Sequence, residues 1–344
     1  MSNFIQLHLL TSYAPSNLNR DDLGRPKTAK MGGFERLRVS SQSLKRNWRI
    51  SELFQEALAG HIGTRTKRLG IEINAKLLEL GVEEKKAQKW SIQISGVFGK
   101  NKKDSLEIEQ LVHISPVEKA AVLKLAAILA AEDREPTKEE LDILTAEKMA
   151  VDIAMFGRML ASRPDVDVEA ACQVAHAISV HSVVVEDDYF TAVDDLNDGK
   201  EDSGSAHIGE SGFAAALFYS YICINKTLLI ENLNGDEELA NNAIKALIEA
   251  AVKVSPKGKQ NSFASRAYAS YVLAEKGEQQ PRSLSVSFLK PVNDDDQALA
   301  AIKALQIQKE NFDKVYGECS DEAYQINAIV GEGTLIELLD FVAK

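Results

Sequence analysis

Apolar and polar positions along the chain fall into blocks of different period. Phe4 to Leu10 is an apolar run rich in Ile, Leu and Phe, the pattern of a buried strand. It gives way to the turn-prone segment SYAPSNLNRDDLGRPK, a loop of functional size. The short run Leu37 to Val39 leads into Ser40 and Ser41, either of which can cap a helix continuing to about Leu58. From about 61 to 175 the pattern is almost entirely helical, with capping boxes at Ser115-Pro116-Val117-Glu118 and Thr137-Lys138-Glu139-Glu140. Ala and Leu fill Ala120 to Ala131 at a density suited to helix packing, so this stretch reads as a helical insertion.

Strand character returns at Val180 to Val185 and from Phe213 to Ile224. The polar segment between them, EDDYFTAVDDLNDGKEDSGSAHIGESG, reads as a projecting hairpin or arm. Asp236 can cap a helix to about Val252, and the loop SPKGKQNSF follows. Leu284, Val286 and Phe288 alternate with Ser283, Ser285 and Ser287, which predicts a half-buried strand. A helix from about Gln297 to Tyr316 and a short one from Thr334 close the chain, which shows no internal repeat. Outside the insertion, the mixture suits an α+β domain built on a small ferredoxin-type sheet.

At 344 residues and 45% hydrophobic content the chain can bury a full core. No stretch approaches the roughly 18 apolar residues of a membrane span, and MSNFIQLHLL lacks the basic lead and cleavage site of a signal peptide, so a cytoplasmic protein is expected. Cys172, Cys223 and Cys319 are scattered and predict neither disulfide nor zinc site. The net charge of -11 argues against a polyanionic partner, but its distribution changes that. Residues 1 to 70 hold 12 Lys/Arg against 5 Asp/Glu, a balance of +7, and the remaining 274 hold 28 against 46, a balance of -18. The pattern is that of a basic face on an acidic body.

The basic residues have an address. On the helix beginning SSQSLKRNWR, Gln42, Lys45, Arg46 and Arg49 fall inside an arc of about 100°, with Leu44, Trp48, Phe54 and Leu58 opposite. Cations crowd the first turns, where the dipole and free N–H groups already favour anions, an arrangement that makes sense if a phosphate is expected. Arg36 and Arg38 precede the helix, and the loop adds Arg20, Arg25, Lys27 and Lys30 with Asn17 and Asn19 as neutral donors. Such a set suits a single-stranded RNA backbone, while a solvated patch with ordinary i,i+4 pairing is the competing interpretation. Lys257 to Gln260, whose glycine lets the backbone come close, is a weaker candidate phosphate contact, and Arg158 beside Gly157 is a similarly weak one.

Catalytic patterns are thin. Asp187, Asp188, Asp194, Asp195 and Asp198 could in principle bind Mg²⁺, but no base or nucleophile at a recognisable spacing accompanies them. His176 and His181 do not share a helical face, and no dinucleotide, P-loop, zincin or nucleophile-elbow motif is present. A non-enzymatic protein without metal or cofactor is therefore expected.

Four blocks, MSNFIQLHLLTSYAPSNLNRDD, GGFERLRVSSQSLKR, AHAISVHSVVVEDDYFTAVDDL and GSAHIGESGFAAALFYSYICIN, closely resemble the CasC (Cse-subtype) family, the repeated backbone subunit of type I-E CRISPR Cascade. The resemblance covers residues 1 to 50 and about 150 to 226 well, and about 251 to 290 more loosely. It implies a hand-shaped subunit: an RRM-like, ferredoxin-like palm at 1–59 and 215–344, a helical fingers insertion at 60–180, and a thumb arm with its flanking strand at 181–214. It further implies that copies stack head to tail along the guide RNA beside other Cascade subunits, presenting the guide to target DNA in antiviral interference. Carried over by position, Asn19, Arg20, Ser40, Gln42, Lys45, Arg46, Lys259 and Gln260 hold the guide backbone. Lys27 and Arg49 join them on charge geometry. By the same resemblance Arg158 and Met159 approach a kinked nucleotide, and the thumb from Phe190 to Gly209 supplies the wedge.

Overall fold

A computed structural model describes residues 3–142, 149–160, 164–192 and 207–344. In chain order its elements are β1 (Phe4–Ser16), β2 (Thr28–Met31), β3 (Phe34–Val39), α1 (Ser41–Arg49), α2 (Glu52–Ala57), β4 (Thr64–Thr66), α3 (Leu69–Glu79), α4 (Glu84–Gly96), β5 (Val112–Ile114), α5 (Pro116–Glu132), α6 (Lys138–Asp142), α7 (Val151–Phe156), β6 (Cys172–Val174), β7 (Ala177–Ser179), β8 (Glu186–Ala192), β9 (His207–Asn225), α8 (Lys226–Asn232), α9 (Glu237–Lys253), α10 (Gln260–Phe263), β10 (Tyr271–Gly277), α11 (Gln297–Tyr316), β11 (Glu322–Asn327) and α12 (Leu335–Ala343). The expected α+β mixture is present, and the chain divides into two units. One comprises 1–54, 174–223 and 244–344, the other 55–173 and 224–243. Among the described residues no helix is long and apolar enough to cross a membrane.

The first unit is built on a sheet in the order β11-β10-β1-β9-β7-β3-β2, and every pairing whose register is defined is antiparallel. β1 is buried continuously from Ile5 to Thr11, as a strand covered on both faces must be. It pairs with β10 from Phe4 opposite Gly277 to Leu10 opposite Tyr271. Leu10, Leu217, Tyr219, Tyr271, Leu284, Phe288 and Leu305 form the core on this sheet. β8 and β9 make a ribbon from Glu186 opposite Phe213 to Ala192 opposite His207, in which every β8 residue is exposed. Residues 193–206, which hold most of the expected wedge of Phe190 to Gly209 together with Asp194, Asp195 and Asp198, lie outside the described residues.

A polar knot sits inside this sheet. His8, on β1, is fully buried between Tyr219 Oη at 2.9 Å and Glu275 Oε2 at 3.1 Å. Arg282 donates to both carboxylate oxygens of Glu275, with Nη2 to Oε1 at 3.0 Å, and Ser320 Oγ donates to Oε1 at 3.1 Å. Burial lowers the His8 pKa against the pull of Glu275, so the imidazole is neutral. Burial pushes the Glu275 carboxyl up, but the hydrogen bonds from His8 and Arg282 outweigh it and hold the carboxyl down at about 2.

The second unit has its own core, with Ile73, Leu77, Trp90, Ile94, Val122 and Leu129 from α3, α4 and α5 at its centre. Both anticipated capping boxes form. Ser115 Oγ accepts the Glu118 N–H at 3.0 Å while Glu118 Oε2 accepts the Ser115 N–H at 2.8 Å. Thr137 and Glu140 exchange the same pair of bonds at 2.8 and 3.2 Å.

Several expectations are corrected. The helix from Ser41 to Leu58 is broken, because Ser51 Oγ donates to the Trp48 carbonyl at 2.7 Å and accepts the Phe54 N–H at 3.3 Å, ending α1 and recapping α2. The stretch from 61 to 175 is not wholly helical, since β4 and β5 pair antiparallel from Thr64 opposite Ile114. Val180 to Val185 is irregular: Ser179 Oγ donates to the His181 carbonyl at 2.9 Å and His181 Nε2 accepts the Leu217 N–H at 3.3 Å, so side chains replace a ladder. Leu284 to Phe288 is not a strand: Ser285–Phe288 form a 3₁₀ turn, with Leu284 and Phe288 both 0% exposed and Val286 39% exposed, a pattern that alternation with serine disguises. The strands of this region are instead β10 and β11, neither of which was anticipated.

Candidate nucleic-acid interface

The site grows from the start of α1. Ser40 is extended, and its Oγ accepts the Ser43 N–H at 3.3 Å. Asn19 in the loop after β1 fixes the same residue from outside, its Oδ1 accepting the Ser40 N–H at 2.9 Å. Asn17 Nδ2 donates to the Gly24 and Gly212 carbonyls, each at 2.9 Å, and Asp21 Oδ1 accepts the N–H groups of Leu23 and Arg25, each at 2.9 Å. The loop is therefore shaped from within and sits on the helix start.

A third segment closes the site. Asn47 Oδ1, on α1, accepts the Lys257 N–H at 3.2 Å, while its Nδ2 donates to the Ser43 carbonyl at 2.7 Å. A Cβ at Gly258 would lie 2.2 Å from the Leu18 carbonyl oxygen and 2.6 Å from that of Asn17, so the close backbone approach read from Lys257-Gly258-Lys259 is made to the loop after β1. The three segments bound an open groove of about 640 Å³ lined by Asn19, Arg20, Arg46 and Lys257 together with Asp21 and Asp22. Arg20, Gln42, Arg46 and Lys257 are exposed, and Lys45 is half-buried. Arginine and lysine heads at a rim of neutral amides make a surface that can hold phosphate while the amides reach sugar hydroxyls.

Not every anticipated residue is in that surface. Arg49, the last residue of α1, is buried, 8% exposed. Arg36, counted among the cations before the helix, is fully buried: its guanidinium donates to the Ser179 carbonyl at 2.9 Å and the Phe288 carbonyl at 2.8 Å, an internal strut rather than a surface charge. Lys259 turns its Nζ to Ser211 Oγ at 2.5 Å, and Gln260 Oε1 accepts from Ser265 Oγ at 3.0 Å. Lys27 is half-buried, with its backbone N–H donated to the Asn19 carbonyl at 2.8 Å.

In the second unit Arg158 is buried and paired with Glu118, its Nη1 2.8 Å from Oε1 and 2.7 Å from Oε2, and it also donates to the His113 carbonyl at 3.2 Å. Its guanidinium is thus held inside the unit and not presented at the surface. Met159 beside it is 84% exposed and, with Leu111 and Val112, lines a shallow hollow of about 290 Å³. Asp187, part of the possible Mg²⁺ cluster, is ion-paired to Arg25 at 3.0 Å. The sequence does not mark Asn47 as a joint, and it marks Gly258 for a close approach to phosphate, not to the loop. The signal for Asn47 was a lone amide between the core residues Leu44 and Trp48.

Comparison with known proteins narrows the possibilities. No curated protein matches the chain. Among solved structures, it is similar to a chain of a "CRISPR RNA-guided surveillance complex, pre-nicking" at TM-score 0.85 and 30% identity, covering 99% of each chain. It is also similar to a chain of a "CRISPR RNA-guided surveillance complex" at TM-score 0.62 and 25% identity, covering 99% of this chain and 98% of that one. The family model for CT1975-like proteins matches residues 5–334, and the chain belongs to that family.

Proposed function

We propose that this chain is the non-catalytic backbone subunit of a type I-E Cascade, which polymerises along a CRISPR guide RNA and presents it for pairing with target DNA in antiviral interference. The single observation that carries the reading is full-length likeness, at TM-score 0.85, to a chain of an RNA-guided surveillance complex. The groove agrees with it in chemistry. Arg20, Arg46 and Lys257 line a groove shaped by Asn17, Asn19, Ser40 and Asn47, which offers charge to a phosphate backbone and little that reads a base. Sequence is then read by guide-to-target pairing.

In this reading the sheet of the first unit is the RRM-like palm, the helical unit forms the fingers, and the β8–β9 ribbon belongs to the thumb. Lys27, Gln42, Lys45, Lys259 and Gln260 extend the grip on the guide beyond the groove lining, and Met159 contributes an apolar contact to a base. An acidic body, with the charge balance of -18 beyond residue 70, disfavours arbitrary nucleic acid.

The test is to express the chain with a CRISPR repeat-spacer transcript, its processing endonuclease and the neighbouring subunits, then size the product and sequence the nuclease-protected RNA. A large particle holding one discrete guide-length RNA supports the backbone role. An RNA-free particle, unchanged by the transcript, replaces it with a structural oligomer.

A further inference from the structure

Outside the groove lining, one cluster of basic groups has no carboxylate partner among the described residues. Arg38, at the end of β3, places Nη1 3.1 Å from Nδ1 of His176, just before β7. The strands set this meeting: Arg38 lies opposite Ile178 and Val39 opposite Ala177. Lys27 joins through the backbone, its carbonyl accepting the Arg38 N–H at 2.8 Å. His176 is exposed, and Lys27 and Arg38 are half-buried. Among the described residues no carboxylate pairs with any of the three, although ion pairs are common elsewhere on this surface.

We propose that Lys27, Arg38 and His176 form a second phosphate-binding site, which takes a phosphodiester of a nucleic-acid strand. It rests on the guide-binding reading and extends it to the sheet end beside the groove. The Arg38–His176 contact has the imidazole accepting through Nδ1, which leaves Nε2–H as a donor. The rest of the Arg38 fork and the Lys27 ammonium supply the charge.

The empty cluster has a measurable property. Burial first, then the charges of Arg38 and Lys27, hold the His176 pKa below its ordinary value of 6.5. Among the described residues, the charged groups acting on the imidazole are those two. From β9, the other neighbour of β7, the opposed residues are Tyr219 and Phe218, and Tyr221 accepts the Ala175 N–H. A bound phosphate reverses the local sign, raises that pKa, and makes binding take up a proton as pH falls.

The experiment follows the six imidazoles of the full chain by NMR across pH, with His176→Gln identifying the resonance. It is run alone, with inorganic phosphate, with a single-stranded RNA oligonucleotide, and with DNA of the same sequence. The expected result is a His176 midpoint raised by about one pH unit, a tenfold gain in proton affinity, and a smaller rise in Lys27→Gln. A rise with RNA alone assigns the guide, with DNA alone the target strand. RNA that binds, by anisotropy, while the His176 midpoint stays still overturns this inference and leaves the guide reading intact. A rise with phosphate when neither nucleic acid binds overturns the guide reading and keeps the cluster as a phosphate site only. A rise undiminished in Lys27→Gln removes Lys27, and no rise with any probe overturns the site.

Discussion

The Asn19 side-chain oxygen accepts the Ser40 backbone N–H at 2.9 Å, locking the loop after β1 to the first residue before α1. Both residues sit where the guide is proposed to run, yet the bond between them is internal. Asn19 therefore acts first on the shape of the groove. Replacing Asn19 by Ala should cost about 1 kcal/mol of stability and leave the Ser40 N–H to water. Urea unfolding of Asn19→Ala beside Ser40→Ala measures this. If Asn19→Ala weakens RNA binding with an unchanged salt slope, its role is positional.

The exposed cations should behave differently. Arg20→Ala and Arg46→Ala are each expected to lower RNA affinity for every sequence, with little effect on unfolding. Each should also flatten the log-log dependence on salt by about 0.7 for a lost single-strand phosphate contact. Anisotropy titrations at several salt concentrations provide the readout. An unaltered slope would take that residue off the backbone path.

Ser40, Ser115, Thr137 and Asp236 are legible because a cap is a local event: an oxygen beside an N–H three residues on, written within four letters. The start of α9 follows from the same kind of signal. The burial of Arg36, Arg49 and Arg158 is illegible for the opposite reason. Charge and helical position describe a residue's own segment, whereas the carbonyls of Ser179 and Phe288 that bury Arg36 come from 143 and 252 residues away. β10 hid its character behind Glu275, which is 0% exposed only because His8 and Arg282 meet it, and β11 is largely exposed and polar. The groove is half legible: the sequence marks its cations and the close approach at Gly258, but neither the loop that Gly258 approaches nor Asn47, which holds the third segment.

Arg158 carries a prediction opposite to that for the groove. Arg158→Ala strands the buried Glu118 carboxylate, which also caps α5, and should cost about 3–5 kcal/mol. Removing both charges, in Arg158→Met with Glu118→Gln, should restore a good part of that loss. RNA affinity per folded molecule should not change in either variant. A stable Arg158→Ala with weakened RNA binding would return Arg158 to the nucleotide.

The buried pair of His8 and Glu275 gives the fold an acid limit with a defined sign. Glu275 has a folded pKa of about 2 against an ordinary 4.5, so its stabilising contribution is complete above 4.5 and is lost as pH falls towards 2. His8 is lowered in the fold, so its contribution is complete above its ordinary 6.5 and fades as pH falls below that value. Both slopes run the same way, and unfolding free energy should decline from pH 7 downwards in two stages. In Glu275→Gln the lower stage should disappear, with about 3 kcal/mol lost at neutral pH from the unpaired Arg282. Chemical denaturation between pH 3 and 8 separates the two, and a lower stage that persists in Glu275→Gln would assign it to other carboxylates.

Gly258 tests whether the groove depends on its backbone joint as well as its charges. A methyl group there meets two carbonyl oxygens at 2.2 and 2.6 Å, and neither belongs to a flexible side chain, so the strand of backbone from Lys257 to Lys259 must move off the loop at Asn17 and Leu18. That displacement should cost about 1–3 kcal/mol. It also pulls the Lys257 N–H from Asn47, opening the groove without removing any charge. Gly258→Ala is therefore expected to weaken RNA binding while keeping the wild-type salt slope, whereas Lys257→Ala lowers the slope and leaves stability nearly unchanged. If Gly258→Ala binds RNA as wild type does, the groove floor tolerates the shift, and the guide is held by the cations of α1 and the loop after β1 alone.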